Sequence, residues 1–443
     1  MYELYPYFTN DGTVGLFSPH DDDIYHSMDG ALSESWQKFT LPAHLEEYLR
    51  THNSVKILDI CYGIGYNTKT ALNVFTNHAW ENIFQNNFKS KKKLNEFKKN
   101  PYITSPSIAA IDTDNIKPKF GEDFVHGHEL NEHVNAKNKF CTNLLIDAVD
   151  LDKILINISP FIVSKRKFKF LSKNKLNYLP IKNIKISQKM LKKEFRLKKE
   201  VSIILLEKLL ESNPEFFEDK IMHSILSQKK YSPFFSKFML NLARFYQNQG
   251  YNYNKKVNIS AFLHNIYYRY LSKSYKKAKK ILKTTKIDLN FYENDARAFI
   301  QSTTNKYNFI FLDAFTPAKC PALWTIDFFR ELYAKLEEDG MVLTYSNSAA
   351  VRNAFLENGF YVGKTYDPDS KKSVGTIAAK NKNLIEYPLD ELDLALIKSK
   401  AGICFKDENL DLDNLSIVKN RKLEFEQSGL VCSSNIMKGY KNA

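Results

Sequence analysis

Cysteine is scarce: there are five in 443 residues, at positions 61, 141, 320, 404 and 432. Their number is odd and none stand in CxxC spacing. A disulfide scaffold and a cysteine-built zinc site are both disfavoured, and a reducing cytoplasm is the expected compartment. Long apolar runs are missing too. The best stretch, Val201 to Leu210, is far shorter than the ~20 residues a membrane span needs, and it contains Glu207 and Lys208. The first residues, MYELYPYFTNDG, have neither a basic n-region nor an apolar h-region, so no signal peptide is expected. Complete metal-ligand patterns are also lacking. His20-Asp21-Asp22-Asp23, His126-Gly127-His128 and His264 form no recognisable set, and no metal is expected.

What remains is an ordinary globular composition, 43% hydrophobic and 26% charged, long enough for two or three folding units or for one domain with a large insertion. The charge is not ordinary. Lys and Arg number 64 against 50 Asp and Glu, for a net of +14. Only 9 of the 64 are Arg, a bias that genome composition could produce without any ligand. Distribution says more. Residues 151–200 hold 15 basic and 3 acidic side chains, and 264–283 hold 7 basic, no acidic and four Tyr. Together with Lys89–Lys93, these clusters suit a phosphate backbone with unstacked bases, so RNA is the expected partner.

Short apolar strands alternate with helical patterns, which predicts a mainly parallel α/β sheet. The strands are expected at Val55–Ile60, Ser107–Ile111, Asp288–Tyr292, Tyr307–Leu312 and Gly340–Tyr345. Phe360–Tyr366 and Gly375–Ala379 close the sheet as an antiparallel pair. The second and third strands are separated by about 170 residues, too many for a connection. The expected division is therefore a core of 1–114 plus 285–380, a basic and mostly helical insertion at 115–284, and a tail, 381–443, on or near the core.

The chemistry concentrates after the strands. Asp59-Ile-Cys-Tyr-Gly63-Ile-Gly65-Tyr-Asn67 is a glycine turn between strand and helix, where backbone can approach a ligand closely. Thr68 stands where a dinucleotide fingerprint has its third glycine, which disfavours NAD and FAD. S-adenosylmethionine (SAM), which has no pyrophosphate, fits better. Asp112, with Asp114 in reserve, ends the second strand, where it can accept both ribose hydroxyls. Asp295 ends the third, within reach of an adenine amino group. Taken singly, such an aspartate is usually a turn or helix cap; three in matching order are not. Asp313, after the fourth strand, can hold an attacking amine and take its proton. Phe315, Pro317, Lys319 and Trp324 follow it in a proline-stiffened loop.

The segment Asp313–Trp324 resembles the DxFxPxKxPxxW signature of MnmC-type tRNA methyltransferases. Tyr25–Glu34 resembles the family's upstream motif, Asp59–Asn67 its GxGxN turn, and Asn294–Arg297 its GDAR-like element. Cys320 and Asn294 depart from the common residues. The resemblance implies a Rossmann-like class I SAM-dependent methyltransferase fold. It implies methylation of 5-aminomethyl-2-thiouridine at the tRNA wobble position, with other enzymes supplying that intermediate. It further implies Asp313 as catalytic residue, a cofactor pocket of Glu34, Asp59, Gly63, Gly65, Asn67, Asp112, Asp295 and Ala296, and substrate contacts from Phe315, Pro317, Lys319 and Trp324. With no second GxGxxG, a stand-alone methyltransferase without the fused oxidase is expected. The competing readings are methyl or aminopropyl transfer to another amine, and a non-catalytic RNA-binding protein on the same scaffold.

Overall fold

The computed structural model describes residues 4–19, 23–89, 141–162, 197–229, 231–250, 273–367 and 372–441. Strands β1 (Tyr5–Phe8), β2 (Val14–Ser18) and β3 (Asp23–Ile24) form a small antiparallel sheet. The main sheet comprises β4 (Ser54–Ile60), β5 (Asn143–Asp150), β6 (Lys286–Glu293), β7 (Tyr307–Leu312), β8 (Leu336–Thr344), β9 (Tyr361–Tyr366) and β10 (Ser373–Ala379). Its order is β6-β5-β4-β7-β8-β10-β9. Strands β4 to β8 run parallel, and β10 runs antiparallel to both neighbours.

Strand periodicity sorts the apolar residues onto two faces. Ile57, Phe309, Phe311, Met341, Leu343 and Ile377 join one core with the long helix Tyr66–Lys89. Leu58, Ile60, Ile310, Leu312, Val342 and Ala378 join the other, under the helices Ala296–Ser302, Ile326–Ala334 and Ala349–Glu357. Both faces are covered, so the central strands are largely apolar, with Asp59 in β4 and Asp147 in β5 as buried exceptions. The chain leaves β4 toward β5 and β6 on one side and places β7 and β8 on the other. The switch point therefore lies between β4 and β7, where open α/β sheets bind ligands beyond the strand ends.

One expectation is corrected. The strand beside β4 is Asn143–Asp150, paired in parallel from Ser54↔Asn143 to Ile60↔Val149. The expected second strand, 107–111, lies outside the described residues, as do Asp112 and Asp114. The span 115–284 thus carries a core strand, and helices Lys199–Ser212 and Lys273–Thr284 bury Val201, Ile203, Ala278 and Ile281 against the first core. The sequence NLLIDAVD obscured this strand because Asp147 interrupts its apolar run. Asp147 is nevertheless fully buried, accepting from Asn290 Nδ2 (2.8 Å), Asn305 Nδ2 (3.0 Å) and the Tyr307 hydroxyl (2.7 Å). A buried carboxylate is tolerable when so satisfied.

The C-terminal segment returns to the core. Ile326 N donates to Phe405 O (2.9 Å), and the Arg352 guanidinium pairs with Asp393 (2.7 Å). No helix among the described residues is long and apolar enough to cross a membrane.

Candidate active site

A cleft of about 1080 Å³ opens over the ends of β4, β5, β6 and β7. The turn after β4 forms its floor, with Cys61, Gly63 and Gly65 all at positive φ (62°, 54° and 74°). Gly63 N donates to Asp150 Oδ2 (2.7 Å), binding the turn to the end of β5. Asp313 N donates to Ile60 O (3.2 Å), which sets the first residue after β7 beside that turn. Asn67 Nδ2 donates to Asp313 Oδ2 (2.9 Å), so one carboxylate oxygen is held while the residue faces the cleft.

The loop after Asp313 is braced from below. Trp324 is fully buried and its Nε1 donates to Phe315 O (2.8 Å). Lys319 Nζ pairs with Asp23 (3.0 Å) and closes the loop onto the small sheet. The Tyr25 and Phe315 rings lie 5.4 Å apart, tilted by 52°, and make one aromatic wall. Tyr345 donates its hydroxyl to Ala314 O (2.8 Å).

Carboxylates dominate the charge. Asp23, Glu34, Asp150, Asp295 and Asp313 all line the cleft. Burial, reinforced by the nearby Glu34 charge, pushes Asp313 up to about 7 against the opposing Asn67 hydrogen bond. Burial likewise lifts Asp150 to about 6, although the N–H groups of Gly63 and Asp152 favour its charged form. Burial also disfavours ionised Glu34, but Lys38 Nζ at 2.5 Å and Ser27 N at 3.1 Å outweigh it, and its pKa falls. Burial drops His26 to about 4, which leaves a neutral ring at physiological pH. Such a cleft attracts cations and repels phosphates. That suits SAM, whose reacting centre is a sulfonium. Asp150 stands at the strand end where ribose hydroxyls can be accepted, and Gly63 gives close backbone approach.

The expected residues divide into two groups. Glu34, Gly63, Asp295, Ala296, Asp313, Phe315 and Lys319 line the cleft. Asp59 lies beneath it: fully buried, its Oδ2 accepts from Thr68 N (3.0 Å) and Thr68 Oγ1 (2.6 Å), tying strand to helix. Asn67 is 4% exposed and acts on Asp313 rather than on the cleft. Gly65, Pro317 and Trp324 are outside the lining, and Trp324 offers no free face. Asp295 caps the helix Ala296–Ser302 through Arg297 N (2.8 Å) and also pairs with the Arg297 guanidinium (2.9 Å). Sequence reading missed Asp150, Tyr25, Tyr345 and the tail residues Leu412–Asn414, which also line the cleft. An acid ending an apolar run was the available signal for Asp150; none marked the tail.

Among the described residues no group of three His, Cys, Asp or Glu is placed to hold a metal ion. Parts of the chain are similar to known proteins. Residues 258–381 match the model of an S-adenosyl-L-methionine-dependent methyltransferase family. An uncharacterized protein of Methanocaldococcus jannaschii is 34% identical over 136 residues, 30% of this chain and 38% of that protein. The tRNA 5-methylaminomethyl-2-thiouridine biosynthesis bifunctional protein MnmC of Burkholderia vietnamiensis is 36% identical over 66 residues, 15% of this chain and 10% of that protein. The chain thus spans well under two thirds of these relatives. The crystal structure of MNMC2 from Aquifex aeolicus superposes with a TM-score of 0.50 at 19% identity, covering 96% of this chain and 86% of that one, a likeness of fold. The chain thus carries, over residues 258–381, a match to an S-adenosyl-L-methionine-dependent methyltransferase family, and it is similar to MnmC proteins over a short stretch of sequence and in fold.

Proposed function

We propose that the chain N-methylates 5-aminomethyluridine, 2-thiolated or not, at the tRNA wobble position. The observation that carries this reading is Asp313: a carboxylate held on one oxygen by Asn67, in the DxFxPxKxPxxW loop, with a pKa lifted toward neutrality. The bound cofactor supplies an electrophilic methyl group. Asp313 accepts a hydrogen bond from the neutral primary amine, aims the nitrogen lone pair at the methyl carbon, and takes a proton from the secondary ammonium that forms as the carbon–sulfur bond breaks and the thioether leaves. Asp150 and Asp295 hold the nucleoside end of the cofactor, and Glu34 faces its cationic end. The Tyr25–Phe315 wall offers a stacking surface to an extruded base. Enzymes that build the aminomethyl uridine would act upstream, in the cytoplasm where tRNA is found.

An acid-lined cleft also suits a small cationic amine, which keeps transfer to such an amine as the second reading. Incubation with methyl-labelled SAM and tRNA lacking the modification separates the two. Label recovered with the RNA is expected; label on polyamines alone would replace this proposal with the second reading.

The helix Lys273–Thr284 supports an RNA partner. It turns Ala278 and Ile281 into the core and leaves Lys273, Lys276 and Lys283 exposed, with no ion pair among the described residues. Lys277 and Lys280 lie over the Trp80 ring, at 4.7 and 5.7 Å. Changing Lys273, Lys276 and Lys283 together to Gln should reduce the slope of log K against log salt for tRNA by roughly two, and leave SAM affinity unchanged. An unaltered slope would place the RNA elsewhere. The other lysine clusters, beyond Lys89 in 89–93 and through most of 151–200, lie outside the described residues.

A further inference from the structure

The adenine end of the cleft is built from two distant parts of the chain. Asp295 follows β6, but its carboxylate is not free to turn. The Arg297 guanidinium bonds both its oxygens, Nε to Oδ1 at 3.3 Å and Nη2 to Oδ2 at 2.9 Å. Arg297 is itself fixed from the other side. Its Nη1 donates to Asp407 Oδ2 (2.9 Å) and to Leu412 O (2.8 Å). Asp407 is completely buried, and its other oxygen accepts from Asp411 N (3.0 Å) and Leu412 N (3.1 Å). Its own N donates to Asp327 Oδ2 (2.7 Å), at the start of the helix Ile326–Ala334. Five residues on, Leu412, Asp413 and Asn414 form part of the cleft wall.

We propose that Asp407 is a positioning residue for cofactor binding: through Arg297 it fixes the Asp295 carboxylate at the adenine end of the cleft. The inference rests on reading Asp295 as a ligand of the cofactor's nucleoside. A planar guanidinium can bridge two carboxylates in one fixed geometry, which an ammonium cannot. Asp407 lies outside residues 258–381 and far from any strand end, so no strand-end pattern in the sequence points to it.

Asp407→Asn separates this role from a structural one. The replacement's amide oxygen can still accept from Asp411 N and Leu412 N, while its amide nitrogen faces Arg297 and breaks only that contact. By titration calorimetry, SAM should bind the variant about tenfold more weakly, the loss of one charge-assisted hydrogen bond. In turnover, the KM for SAM should rise while kcat at saturating SAM stays unchanged. Arg297→Lys, which keeps the charge and loses the fork, should behave alike. In a double-mutant cycle, Asp407→Asn should add little further loss on an Asp295→Ala background. Unchanged SAM affinity in folded Asp407→Asn, with Asp295→Ala impaired, would overturn the positioning role and leave the reading of Asp295 standing. Full additivity, or an Asp295→Ala variant that binds SAM normally, would also overturn it, the latter together with that reading.

Discussion

Asp313→Ala should lose methyl transfer by roughly a hundred- to ten-thousand-fold while still binding SAM. The carboxylate touches the reacting amine in this account, not the cofactor's anchoring groups. Asp313→Asn should be equally inactive, and its pH behaviour makes it informative. Because burial raises the folded pKa from 3.8 to about 7, the ionised form is the disfavoured one in the folded protein. The folded state therefore binds more protons than the unfolded chain between those values, and stability from this group declines as pH rises through that window. The Asn variant carries no such penalty, so at pH 8 its Tm should match or exceed the wild type. Activity has the opposite dependence, since the ionised carboxylate accepts the proton. At subsaturating SAM, kcat/KM should fall as pH drops below about 7, and in Glu34→Gln that limb should move to lower pH, because the Glu34 charge helps raise Asp313. A limb unmoved by Glu34→Gln would belong to the substrate amine instead.

The glycine turn gives the second large effect. Gly65 has φ +74°, and a Cβ there would lie 2.3 Å from Cζ of the Tyr62 ring. Tyr62 cannot retreat: it is 3% exposed and its hydroxyl is bonded to Ser159 Oγ at 2.5 Å. Gly65→Ala must therefore strain the backbone and displace a packed ring. Each cost is about 1–3 kcal/mol, so the variant should lose several degrees of Tm and most of its SAM affinity. Gly359 is the control. Its φ is +84°, but nothing lies within 4 Å of its Cβ position. Gly359→Ala should cost about 1 kcal/mol from φ alone and leave SAM binding intact. Equal loss of SAM affinity in both would mean that the Gly65 effect is global destabilisation rather than distortion of the turn.

These contrasts show what sequence could and could not reveal. Strands β4 and β7 are largely buried on both faces and read as short apolar runs, β4 leading straight into the Gly63–Gly65 turn and β7 into Asp313, so the turn and the acid beside it were visible. Strand β5 was hidden because Asp147 is buried within it, its charge met by Asn290, Asn305 and Tyr307, which are remote in sequence. With β5 hidden, Asp150 at its end was hidden too; the expected ribose ligand, Asp112, lies outside the described residues. Trp324 looked like a substrate platform because an indole suits both stacking and packing. Only its bond to Phe315 O and its complete burial decide for packing. Asp407 meets Arg297 from 110 positions away in the chain, a contact no local pattern encodes.

Where the methyl group goes decides the function. The most direct test is nucleoside mass spectrometry of tRNA from a strain lacking this modification, after reaction with SAM and either the wild-type chain or Asp313→Ala. Wild type should convert aminomethyl uridine at the wobble position to its methylaminomethyl form, and Asp313→Ala should leave it unchanged. A wobble uridine unmethylated by a wild-type chain that binds SAM, or equal conversion by both proteins, would contradict the account.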